Sequence, residues 1–113
     1  MLDGRDEYPT RVSDPIDLAH LSRQTLGDEG LKREVLDLFL AQVIAAESEL
    51  AAADGEERRM LAHRLVGASR AIGAFGLAAC AAELEAAPQS AAAAERLPRL
   101  IEEVRLFVTR RMA

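Results

Sequence analysis

Four residues of this chain fall on one strip of a helical pattern and could do chemistry together. They are Arg59, His63, Gly67 and Arg70, spaced four, four and three apart, so they stack on one face of a helix. The apolar stripe of the same segment, Leu61, Leu65, Ala68 and Ile72, has the period of an amphipathic helix. At about 100° per residue, His63 points well away from that stripe. A neutral imidazole is abundant near pH 7, because its unperturbed pKa is about 6.5. Its lone pair makes it a nucleophile without a separate base. An exposed imidazole beside a missing side chain, flanked by cations, could accept and present a phosphoryl group.

Gly67 supports this reading. A glycine inside a helix costs about 1 kcal/mol relative to alanine, so its place one turn after His63 calls for a reason. One is clearance for a phosphoryl group and for the edge of a partner; close helix packing is the other. Met60 and Val66, beside His63 in sequence, are candidate apolar docking residues. His63 taken alone reads as a solvated surface histidine, and the spaced neighbours tip it toward phosphotransfer.

The elements that must position these residues are helices. The chain has 113 residues, half of them apolar and only 4% aromatic, with no Trp. Ala and Leu dominate and β-branched residues are few, which favours helices over sheet. One core fits this length, and a nucleotide-binding catalytic domain besides does not.

Residues 1–12 read as a flexible tail, and 13–113 as one helical domain. Asp14 is a candidate N-cap with Pro15 at the first helical position, and Ile16, Leu18, Leu21 and Leu26 give a short helix its apolar face before Gly27. Asp28 caps a second helix reaching about Ala53. Its stripe is Leu31, Val35, Leu38, Phe39, Val43, Ala46 and Leu50, widened by Leu36, Leu40 and Ile44. The third helix covers about 56–72 and stops at Gly73. The fourth covers about 74–87, with Leu77, Cys80, Ala81 and Leu84 apolar, and ends at Pro88-Gln89-Ser90. The last covers about 92–111; Pro98 predicts a start near Leu97 or a bend there. Short connections imply antiparallel neighbours. The expected fold is all-α: an up-and-down antiparallel four-helix bundle with a short N-terminal helix packed on one end.

Composition narrows the function classes. A net charge of −5 argues against nucleic acid as the main partner, which needs a clustered positive surface. A single cysteine, Cys80, forms no internal disulfide and reads as a small core residue. His20, His63 and Cys80 have no metal-ligand spacing, so neither a metal nor a bound cofactor is expected. His20 reads as an ordinary surface residue, and Ser69 has no evident base beside it. No run of 18 apolar residues suggests a membrane span, and the polar start after Met1 lacks a signal peptide's apolar core. The expectation is a free-standing, cytoplasmic, monomeric protein.

At AHRLVGASRAIGA the sequence resembles the histidine-containing phosphotransfer (HPt) domains of bacterial phosphorelays. Ala62, His63, Leu65, Gly67, Ala68, Ser69, Ile72, Gly73 and Ala74 match the pattern in place, and Leu84-Glu85 closes the next helix as in the family. The resemblance extends over about 14–111. It implies a phosphocarrier without an ATP site of its own. His63 would take a phosphoryl group on Nε2 from the aspartyl phosphate of one receiver domain and pass it to another, the receiver supplying Mg²⁺ and most of the catalysis. Receivers of response regulators and hybrid histidine kinases are the implied partners. The family has lysine three residues after the histidine, to steady the phosphoryl charge, where this chain has Val66. Arg59, Arg64 and Arg70 are the candidate replacements. Val66 also motivates an alternative: a receiver-binding module that is never phosphorylated and acts as a decoy or sequestering partner. A third reading is the dimerisation bundle of a kinase whose catalytic domain lies elsewhere.

Overall fold

A computed structural model describes residues 14–112 of the chain; the expected tail, 1–12, lies outside them. The described residues form five helices and no strand. They are α1 (Leu18–Gln24), α2 (Glu29–Ala52), α3 (Gly55–Ile72), α4 (Phe75–Ala86) and α5 (Ala91–Met112). Each of α2 to α5 packs on the next, and α2 closes the ring against α5. That is the neighbour pattern of an up-and-down four-helix bundle, with α1 packed against α3.

The start of α1 differs from expectation. Its N-cap is Asp17, not Asp14, and Asp17 Oδ1 accepts the His20 N–H at 3.0 Å. The chain is fixed just before the helix because Ile16 is fully buried and the Asp17 N–H donates to Gly73 O at 2.9 Å. Leu26 is also displaced: it is 93% exposed, at φ 54°, beside Gly27 at φ 74°. The reversal from α1 into α2 takes these two residues into left-handed backbone, which for a leucine is strained, and turns Leu26 off the apolar face.

α2 begins as predicted, with Asp28 Oδ1 accepting the Leu31 N–H at 2.9 Å. Its buried residues are Leu36, Phe39, Val43 and Leu50, while Leu31, Leu38 and Ile44 remain exposed. α3 ends in the predicted left-handed glycine, Gly73 at φ 89°, with the Ala74 N–H donating to Ser69 O at 2.8 Å. α5 is continuous through Pro98, so the helix does not start near Leu97. The proline leaves the carbonyl four residues back without its helical donor. Ala93, Leu97, Ile101, Val104 and Val108 nevertheless keep an unbroken buried stripe. Burial of that face outweighs one lost hydrogen bond.

Candidate functional site

α3 is the helix that carries the site, and α4 is the helix it packs against most extensively. The buried residues of α4 include the small side chains Ala78, Cys80 and Ala81. The buried arc of α3 is wider than the predicted stripe. It takes in Ala62, Val66 and Ser69 as well as Leu61, Leu65 and Ile72. Val66 is only 6% exposed. This corrects its assignment as a docking residue: the position three after His63 turns toward the bundle, and the valine is core. Ser69 is fully buried and its Oγ finds no hydrogen-bond partner, so it offers no nucleophile to solvent.

His63 remains outside that arc, with its side chain 70% exposed. Its Nδ1 lies 2.7 Å from Glu85 Oε2, on the last turn of α4. A carboxylate oxygen only accepts, so the proton is on Nδ1 and the Nε2 lone pair is left for chemistry. The contact fixes both tautomer and ring direction.

A cleft beside the imidazole is lined by Arg59, Met60, His63, Arg64 and Glu85. The structure thus brings together two of the three candidate arginines and one of the two candidate docking residues, Met60 being exposed. Arg59 Nε and Nη2 donate to Glu56 Oε1 and Oε2 at 2.9 and 2.6 Å, and its Nη1 is 3.9 Å from Glu85 Oε2. These hydrogen bonds hold the Glu56 carboxyl below its ordinary range and raise Arg59 above its own. Arg64 also borders a second depression, between α2 and α3, with Gln42, Ala45, Ala46, Glu49, Leu61, Leu65 and Ala68. Arg70 is exposed in the last turn of α3 and does not line the cleft. It stands two turns from His63, about 10 Å along the axis.

Gly67 is exposed, and a Cβ built on it would meet nothing within 4 Å. Packing within the chain therefore does not require glycine here. His20, expected to be an ordinary surface residue, is a strap. Its Nε2–H donates to Ala71 O at 3.1 Å, and its ring meets Phe75 edge-on at 5.3 Å. Cys80 is core as predicted, its Sγ 3.3 Å from Ala93 O.

Glu85 is the residue that sequence reasoning passed over: Leu84-Glu85 served as a match, and no role was drawn from it. The signal was in the hairpin. α3 and α4 are antiparallel about the Gly73–Ala74 turn and rise equally per residue. A side chain ten positions before that turn therefore lies level with one about eleven after it.

Among the described residues no three His, Cys, Asp or Glu side chains are grouped to hold a metal ion, and no helix is long and apolar enough to cross a membrane. Comparison with curated proteins and with solved structures finds no match. The Hpt domain family does match, over residues 30–108. That stretch holds the four helices of the bundle almost entire, with the exposed histidine of α3 and its carboxylate partner on α4. The chain belongs to the Hpt domain family, the phosphocarriers that pass phosphoryl groups through a histidine in phosphorelays and interact with receiver domains.

Proposed function

We propose that His63 is the phosphoryl carrier, charged by the aspartyl phosphate of one receiver domain and discharged to the aspartate of another. The observation that carries this reading is the Nδ1–Glu85 contact on a histidine whose ring is otherwise open to solvent. In the forward step the Nε2 lone pair forms the N–P bond as the P–O bond to the donor aspartate breaks, returning a free carboxylate. Nδ1 keeps its proton, so the phosphorylated ring is cationic, and Glu85 faces that charge. In the onward step the acceptor carboxylate forms its P–O bond as the N–P bond breaks. The departing ring is then a neutral imidazole, a far better leaving group than an imidazolide.

Positioning and charge stabilisation supply most of the catalysis in such transfers. The receiver brings the aspartate and Mg²⁺, and this chain presents the nitrogen. The open strip over Gly67 admits the receiver's edge, and Met60 with the α2–α3 depression offers apolar contact. This role fits a monomer in the cytoplasm, where receivers act.

Incubation with a set of phosphorylated receiver domains should label wild type and not His63→Gln. Equal labelling of the two proteins would sink the assignment. Receiver binding that survives His63→Ala, with no acid-labile phosphate from any donor, would establish the non-phosphorylated module instead.

A further inference from the structure

The cation expected one turn after the histidine is absent, because Val66 occupies that place and is buried. The cleft has a cation on the opposite side. Arg59 lies one turn before His63, the spacing at which helical side chains meet. Its guanidinium links Glu56 to Glu85, and the Glu85 oxygen it approaches is the one that accepts from His63 Nδ1. Glu56, Arg59, Glu85 and His63 thus form one continuous chain of polar contacts. Arg64, adjacent to His63 in sequence, does not face it in the same way.

We infer that Arg59 is a reserve cation, paired with Glu56 while His63 is bare and transferred to the phosphoryl oxygens once Nε2 carries them. This rests on His63 being the carrier. A phosphoryl group adds strong negative charge to a cleft that already holds Glu85. The planar fork of an arginine grips carboxylate and phosphate oxygens in the same two-pronged way, so Glu56 occupies the grip that the phosphoryl group would take. The exchange is easy because the pair is at the surface: Arg59 is 43% and Glu56 68% exposed, and such ion pairs hold weakly.

Loss of the phosphoryl group to water proceeds through a loose, metaphosphate-like transition state. Charge on the phosphoryl oxygens falls along that path, so a cation bound to them protects the phosphohistidine. Phosphoramidate, a small donor that needs no protein partner, can load the histidine, and ³¹P NMR at low ionic strength can follow its decay. Arg59→Gln should shorten the lifetime of the His63 signal about two- to fivefold, the scale of one exposed charge pair. Glu56→Gln should lengthen it by up to about threefold by freeing Arg59. The double variant should decay like Arg59→Gln alone. An unchanged lifetime in Arg59→Gln overturns the inference, as does a Glu56→Gln effect that persists without Arg59. A wild-type spectrum no different from that of His63→Gln would instead remove the carrier assignment itself.

Discussion

His63 and Glu85 meet at 2.7 Å across two helices, and a neutral ring that donates through Nδ1 keeps its lone pair on Nε2. On the proposed carrier role of His63, Glu85 is a positioning residue: it would orient the ring through Nδ1 and face the positive charge that phosphorylation creates there. Glu85→Ala loses both effects. Glu85→Gln keeps an acceptor for Nδ1–H but loses the charge. The rate of His63 labelling should fall about tenfold in the alanine variant and less in the glutamine variant, in keeping with one hydrogen bond. Ring ¹⁵N shifts separate this from a structural effect. The alanine variant should show mixed tautomers while its thermal stability stays near that of wild type.

Gly67 separates stability from transfer. Its absent side chain would meet nothing, and alanine is the better helix former by about 1 kcal/mol. Gly67→Ala should therefore raise the melting temperature by a few degrees. Gly67→Leu should fill the clearance, so that transfer from a receiver falls sharply while labelling by phosphoramidate continues. If both donors are affected alike, the glycine makes room for the phosphoryl group rather than for the partner.

The fate of individual residues shows what periodicity can and cannot reveal. Helix boundaries set by local chemistry were legible: Asp28 as a cap, Gly73 as a left-handed stop, and the exposure of His63. Val66 was not, because one stripe describes a helix with one neighbour, and α3 has α2 on one side and α4 on the other. Leu26 was misplaced because the turn needed its backbone more than the core needed its side chain. Asp17 replaced Asp14 as cap because a tertiary bond to Gly73 O fixes the chain just ahead of α1. Each of these misses traces to a contact distant in sequence or to a turn the chain had to make.

Gly73 is a place where a side chain should do harm. Its φ of 89° is left-handed, and a Cβ would come within 3.0 Å of Asp17 O and 3.2 Å of His20 Cδ2. Gly73→Ala should destabilise the fold by about 1–2 kcal/mol from backbone strain alone, and more if α1 is pushed away. Hydrogen exchange should show the effect as faster exchange in α1, with α4 and α5 little changed. Uniform acceleration along the chain would mean that α1 is not seated through this contact.

Cys80 gives the fold an alkaline limit. Burial pushes its thiol above the ordinary range, since the thiolate would lose its hydration. The folded state therefore holds the thiol proton more tightly than the unfolded state does. This contribution is fully present below the unfolded thiol's pKa and is lost as pH rises from there through the folded value. Over that alkaline window stability should fall as pH rises. Denaturant melts at a series of pH values, for wild type and for Cys80→Ala, isolate the effect, because other groups titrate alike in both. The alanine variant should be less stable at neutral pH, having lost a buried sulfur. The two curves should converge as pH rises, and parallel curves would mean that the thiol titrates without sensing the core around it.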